Sequence, residues 1–268
     1  MFKADLHCHT TCSDGTMTPK ELILHAKEVG LSGLSITDHD TVAAYAEARD
    51  VAHEMGILLG VGAEFSSVHL RTSVHVLAYD FILDHPEIAK LCLRHTERRK
   101  ARNREMLRRL SRLGLSIQEE ELPAGHDTIG RPHIAEVMIK KGYVKTVREA
   151  FDLYIGDGKP CFDTGPVVST KETIDIIHKA GGKAFLAHPH LLKRKRKLKE
   201  VFTLPFDGIE CYYGRFSHDV VAPFLGIAKE KGWLVSGGSD FHGKNKDYLS
   251  LGASWIDEEH FRRIFQRL

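Results

Sequence analysis

No apolar run in the chain reaches the ~18 residues of a membrane-spanning helix, and the first ten residues carry no signal-peptide pattern. An excess of charge of one sign is missing too. Lys plus Arg number 38 and Asp plus Glu 36, a formal net charge of +2. That balance excludes a general polyanion binder, though it leaves room for local basic patches. Cysteine is sparse, five residues in irregular spacing. An odd count without a secretory leader excludes a disulfide framework and predicts reduced thiols packed as small hydrophobes in a cytoplasmic protein. Internal repeats and low-complexity segments are absent as well. What remains is a 268-residue chain, 42% hydrophobic and 28% charged, long enough for one large α/β barrel or two ordinary domains. Its compositional outlier is 17 histidines.

Short apolar runs ending in polar clusters recur along the chain. They are "FKADLH", "LSGLSITDHD", "GILLGVGAEFSS", "SVHVLAYDF", "GGKAFLAHPH", "FDGIECYY" and "GWLVSGGSDFHG". These read as seven strands. Helical patterns separate most of them. Thr18, Pro19 and Glu21 form a capping box with proline at the first helical position, and Gly30 closes that helix. Ser169 and Glu172 repeat the signal before a helix ending at Gly181, and a further helix ends at Gly232. The alternation predicts a parallel sheet with helices outside it. Between Pro86 and Gly158 it stops, leaving one long helix closed by Gly114 and two shorter ones, the last with Thr146 and Glu149 as its capping pair. The expectation is therefore an α/β fold, a roughly seven-stranded barrel with an inserted helical subdomain. Polar residues at nearly every strand end favour a barrel over an open sheet, because barrel active sites assemble from many strands.

Those polar residues carry the chemistry. His7 and His9 lie two apart on a strand, about 7 Å along one face, with Cys8 turned away. Alone the pair is weak. Asp14 follows on the loop, Asp38 and His39 end the second strand, and Glu64 the third. His75 sits on the fourth, His188 ends the fifth, and Asp240 and His242 end the seventh. Individually Asp38 and Asp40 could cap helices, Glu64 could be a surface charge and His75 a core histidine. Jointly they would crowd charge at one end of one barrel, which is destabilising without cations. Imidazole and carboxylate, with no role for thiolate, suit Mn²⁺, Fe²⁺ or Zn²⁺, and so many donors suggest two or three ions.

With these residues assembled, the chain resembles the polymerase and histidinol phosphatase (PHP) family of metal-dependent phosphoesterases. "DLHCHTTCSDG", "ITDHDT", "AEF" with "HVLAY", "AHPH" and "GSDFHG" match its motifs in order over residues 5–243. The resemblance implies a distorted (β/α)7 barrel. It also implies two or three divalent ions, Mn²⁺ first among the candidates. His7, His9, Glu64 and Asp240 would surround one ion, and Asp14, His39 and His242 a second. Glu64, as a bridge, would hold a third with His75 and His188. Some relatives have histidine at the position of Asp14, so aspartate there would alter metal preference. Asp38 is expected to orient an imidazole from behind.

The insertion carries "IGRPHIAEVMIKKGYV", which resembles the small bacterial branch acting on nucleotides and 5′-phosphorylated oligonucleotides. In that branch Arg131 and His133 would contact the substrate phosphate, as a guanidinium fork does. This divides the chain into a PHP domain, 1–85 with 159–268, and a helical cap, 86–158. The implied activity is hydrolysis of nucleotide phosphate esters, or of the 5′ end of oligonucleotides, by metal-activated water. Asp14, Glu64, Asp240, Arg131 and His133 would carry it. A histidinol-phosphate phosphatase is the alternative within the class, and a non-catalytic metal-binding PHP module the alternative outside it. Nothing in the sequence calls for a membrane or an obligate protein partner. The arginines of the long helix, Arg94, Arg98, Arg102 and Arg109, and the basic run 193–197 are either solvated surface or a guide for an oligonucleotide.

Overall fold

The computed structural model describes residues 1–123, 128–192, 195–214 and 216–268, with the backbone alone at 195–197. The basic run 193–197 therefore falls outside the described side chains. In chain order the elements are β1 (Ala4–Cys8), α1 (Pro19–Glu28), β2 (Gly33–Ile36), α2 (Tyr45–Met55), β3 (Leu58–Leu59), β4 (Gly62–His69) and β5 (Thr72–Tyr79). Then come α3 (Pro86–Arg112), α4 (Arg131–Lys140), α5 (Val147–Ala150), α6 (Thr170–Lys179) and β6 (Lys183–Leu186). The last are α7 (Lys195–Val201), β7 (Gly208–Tyr213), α8 (His218–Lys231), β8 (Leu234–Gly238) and α9 (Glu258–Ile264).

Helix punctuation is followed closely. Thr18 Oγ1 accepts the Glu21 amide at 3.2 Å, and Glu21 Oε2 accepts the Thr18 amide at 2.8 Å. Ser169 and Thr146 cap α6 and α5 in the same way, through the amides of Glu172 and Glu149.

The sheet departs from expectation. The class is mixed α/β, but the strands form two sheets, β1-β2-β3 and β4-β5-β6-β7-β8, and not one closed barrel. The run read as a third strand divides into β3 and β4. β5 is antiparallel to both β4 and β6, because a tight turn at Leu70 and Arg71 joins β4 to β5 where a parallel pair would need a helical crossover. The other ladders are parallel. Isolated bridges link the sheet margins, His39 to Glu64 and Cys8 to Phe241. Both bridges run through or beside the predicted site residues.

The chain separates into two compact units, Met1–Cys92 with Val168–Leu268, and Leu93–Val167. In the first, Leu6, Leu77, Tyr79, Phe185 and Phe261 are fully buried together, while Leu22, Ile23, Leu34 and Ile36 form a separate cluster with Cys8. The second has its own core of Met106, Leu110, Ile134, Met138, Ile155 and Cys161.

Within the second unit the α3 arginines do structural work that periodicity does not reveal. Arg98 donates to Thr164 O at 2.8 Å, Arg102 to Ile129 O at 2.9 Å, and Arg109 to Phe162 O and, at 2.7 Å, to Asp163. Arg99 and Arg102 are buried. This face of α3 stitches the unit's irregular segments to the helix. Among the described residues, no helix is long and apolar enough to cross a membrane.

Candidate metal centre

β1 delivers the first two side chains. The His7 and His9 ring centroids are 5.3 Å apart, while Cys8 points away and its thiol donates to Ser35 O at 3.2 Å. β8 lies hard against β1. A Cβ on Gly238 would fall 2.4 Å from the His7 backbone nitrogen, so only glycine allows this approach. Just past the strand ends the backbone turns left-handed, at His188 (φ 26°) after β6 and at Asp240 (φ 54°) after β8. Such non-glycine conformations cost roughly 1–3 kcal/mol each and concentrate at functional sites. Here they turn both side chains in toward the histidines of β1.

Glu64 is the hub, and its place corrects the expectation of a strand-end residue. It lies inside β4, opposite Leu77 and diagonal to His75 on the same face of the β4–β5 pair. Its two oxygens divide the imidazoles. Oε1 lies 2.7 Å from His75 Nδ1 and 2.8 Å from His188 Nε2. Oε2 lies 3.1 Å from His39 Nδ1, 3.2 Å from His7 Nε2 and 3.3 Å from His9 Nε2. Asp240 Oδ1 sits 3.2 Å from His9 Nε2, 3.4 Å from His7 Nε2 and 3.5 Å from His242 Nδ1. Asp14 Oδ1 is 3.3 Å from His242 Nε2, and its Oδ2 is 3.8 Å from His39 Nε2.

Three donor groups, each with ligand atoms within 4.8 Å of one another, result: His7, His9, Glu64 and Asp240; His9, Asp14, His39 and His242; and His39, Glu64 and His75. Eight of the nine residues singled out as ligands fall in these groups, and the ninth, His188, joins through Glu64. Arg131 and His133 belong to the second unit. There the Arg131 guanidinium lies 2.6 Å from Asp157 Oδ1 and packs over the rings of Phe151 and Phe162, and His133 Nδ1 accepts the Gly130 amide at 2.9 Å.

The electrostatics suit cations. Burial pushes Glu64 up, but the imidazoles of His39, His75 and His7 outweigh it and hold the carboxyl well below the usual range. Asp14 and Asp240 behave alike, held down against burial by His39 and His242 and by Lys246 and His7 respectively. Burial pushes His39 and His242 down. His7 and His9 go the other way. Burial lowers them, but Glu210 with Glu64 for His7, and Asp240 with Glu64 for His9, drive them up, His9 to about 9. The cluster thus demands positive charge. Both ring nitrogens of His9, and His39 Nδ1, are buried without a well-directed hydrogen bond. Carboxylates set beside poorly directed imidazole lone pairs are a donor set for divalent ions.

Two assignments change. Asp38 does not orient an imidazole. Its oxygens accept the Thr10 amide and hydroxyl at 2.7 and 2.6 Å and the Ser13 hydroxyl at 2.6 Å, so it shapes the loop that presents Asp14. The group behind an imidazole is Glu210, fully buried on β7, which sequence reasoning gave no role. Its Oε1 is 2.8 Å from His7 Nδ1, and its Oε2 accepts the His188 amide at 2.6 Å. The signal was available, as an acidic residue inside an apolar strand reading "GIECYY". Glu210→Gln is expected to weaken Mn²⁺ binding about 10- to 100-fold, measured by calorimetric titration, because a carboxylate behind a ligating histidine fixes its tautomer. Unchanged affinity would remove Glu210 from this role.

The PHP domain model matches residues 5–153. The chain belongs to the PHP family. It is 30% identical over 262 residues to the 5′-3′ exoribonuclease Rnm of Escherichia coli, covering 94% of this chain and 89% of that protein. It is 32% identical over 260 residues to the 3′,5′-nucleoside bisphosphate phosphatase of Chromobacterium violaceum, covering 94% and 91%. Among solved structures, a protein of Bifidobacterium adolescentis described as a metal-dependent phosphoesterase superposes with a TM-score of 0.88 at 33% identity, covering 97% of this chain and 94% of that one.

Proposed function

We propose that this PHP protein is a metal-dependent phosphoester hydrolase acting on nucleotides, such as 5′-AMP and 3′,5′-bisphosphonucleotides, or on the 5′ end of short 5′-phosphorylated oligonucleotides. The observation that carries this reading is the Glu64 carboxylate, one oxygen facing His75 and His188 and the other His7, His9 and His39. It has the form of a bridge between cation sites. Relatives spanning nearly the whole chain are named as an exoribonuclease and a nucleotide phosphatase. We read the bridged sheets as a distorted barrel of the (β/α)7 kind, and the helical segment about 86–158 as a substrate cap.

His7, His9, Glu64 and Asp240 would hold one ion, Asp14, His39 and His242 a second, and Glu64, His75 and His188 a third. Mn²⁺ leads the candidates, with Fe²⁺ or Zn²⁺ as alternatives. Bound ions supply Lewis acidity and lower the pKa of water toward neutrality. The protein's part is to keep these donors in place. Glu210 fixes His7, Asp38 shapes the Asp14 loop, and strained backbone aims His188 and Asp240. Arg131 and His133 would bind substrate phosphate, the guanidinium exchanging its Asp157 contact for phosphoryl oxygens. The five cysteines are free thiols, in keeping with a reducing cytoplasm.

Turnover of 5′-AMP, adenosine 3′,5′-bisphosphate, a 5′-phosphorylated oligonucleotide and histidinol phosphate tests the substrate class. One of the first three should exceed histidinol phosphate in kcat/KM by at least about tenfold. The reverse order overturns the nucleotide reading in favour of a histidinol-phosphate phosphatase. A metal-free, inert protein would favour a binding module. Arg131→Ala should reduce kcat/KM for the preferred substrate about 100-fold, and Arg131→Lys should recover little of it. Equal activity of the Lys variant would remove the bidentate role.

A further inference from the structure

We propose that Lys246 is a catalytic residue, its ammonium binding a non-bridging oxygen of the substrate phosphate beside the cluster. This rests on the phosphoesterase reading above. Lys246 closes the short 3-10 turn Gly243–Lys246 that follows Asp240 and His242. That turn is pinned to the loop carrying Asp14. The Lys244 amide donates to Thr16 Oγ1 at 3.0 Å, and Asn245 Nδ2 donates to Asp14 O at 2.9 Å. Gly243 has φ 64°, and a Cβ there would fall 2.0 Å from Thr16 Oγ1, so turn and loop fit together only with glycine.

The result is a fixed cation at the rim of the cluster. Lys246 Nζ lies 2.6 Å from Asp240 Oδ2, which also accepts the Tyr213 hydroxyl at 2.6 Å. Asp240 Oδ1 meanwhile faces His7, His9 and His242. One carboxylate thus separates an edge suited to ligating a cation from an edge that holds an ammonium. An ammonium has three N–H donors, and the Asp240 contact uses one. The Lys246 side chain is 28% exposed against 4% for Asp240, so it lies on the side that solvent and substrate reach. Phosphoryl transfer spreads negative charge over the non-bridging oxygens, and a preorganised cation there stabilises it. The competing reading is that Lys246 only neutralises Asp240, in which case its loss would act through metal affinity.

The test uses full-length, Mn²⁺-loaded protein with Lys246→Met and Lys246→Arg. Three quantities are measured: the Kd of Mn²⁺, the affinity for inorganic phosphate as probe, and kcat/KM on 5′-AMP. Lys246→Met should bind Mn²⁺ within about threefold of wild type, bind phosphate at least about tenfold more weakly, and lose about 10²- to 10³-fold in kcat/KM. Lys246→Arg, which keeps the charge and guards against a misfolded Met variant, should recover part of both losses. Phosphate affinity and turnover unchanged in Lys246→Met would overturn the proposal, as would loss of Mn²⁺ in step with activity. A wild-type protein hydrolysing no phosphate ester would overturn the phosphoesterase reading itself. An active wild type matched by its Met variant overturns only the role of Lys246.

Discussion

Replacing Glu64 with glutamine is expected to lower phosphoester turnover by about 10³-fold or more while the protein stays folded. Bound ions supply several kcal/mol of charge stabilisation in the transition state, and each ~1.4 kcal/mol lost is a factor of ten. Glutamine keeps the volume of Glu64, but one of its two heads becomes a donor and the negative charge is gone. It cannot face His75 and His188 with one anionic oxygen and His7, His9 and His39 with the other. The fold should survive because, among the described residues, the hydrogen bonds of the Glu64 side chain run to histidines and none to the main chain. Asp38→Asn is the contrasting variant. It removes the charge that organises Thr10 and Ser13, and should act by loosening the Asp14 loop. Metal analysis with a phosphate-release assay on purified Glu64→Gln decides. More than about a tenth of wild-type turnover, at full metal content, would end the bridging assignment.

Chelation of divalent ions should lower the melting temperature by about 10 °C, and added Mn²⁺ should restore it. An ion at 1,000 times its Kd stabilises the folded state by about 4 kcal/mol, and a domain of this size loses roughly 2–4 °C per kcal/mol. Affinity should also rise with pH. Ligating histidines must be deprotonated, yet the carboxylates hold His7 high and His9 at about 9 in the ion-free protein. Below pH 9 each ion bound through His9 must displace its proton, so the proton competes more strongly as pH falls. Between pH 7 and 9, Kd should tighten by up to about tenfold per pH unit for each proton released. Titration calorimetry in buffers of differing ionisation enthalpy reads the proton count directly. A pH-independent Kd with no proton release would show that His7 and His9 take no part. The carboxylates give a second signature with the opposite onset. Asp14, Glu64 and Asp240 have depressed folded values, so their contribution to stability is present above the ordinary carboxylate range and is lost as pH falls through the depressed values.

The sequence by itself determined which side of β1 its two histidines share and where three of the helices start. Alternation along β1 was enough to put His7 and His9 on one side and Cys8 on the other, and capping residues placed the starts of α1, α5 and α6. These signals are local, set by the two-residue repeat of a strand and by unsatisfied amides at a helix start. Tertiary structure decided everything that depends on which strands meet. Strand polarity was one such matter. The same apolar–polar pattern serves a parallel or an antiparallel strand, so the reversal at β5 that sets Glu64 diagonal to His75 could not be read from composition. Partnership was another. Asp38 and Glu210 are both acidic residues in apolar surroundings. Only the folded chain puts Thr10 and Ser13 against the first and His7 against the second, across separations of 25 to 203 residues. The arginines of α3 and Lys246 follow the same logic, since a charge does not announce the carbonyl or carboxylate that will face it. Local chemistry is written in neighbours along the chain; electrostatic partnership is a property of space, and forms only when distant segments desolvate each other.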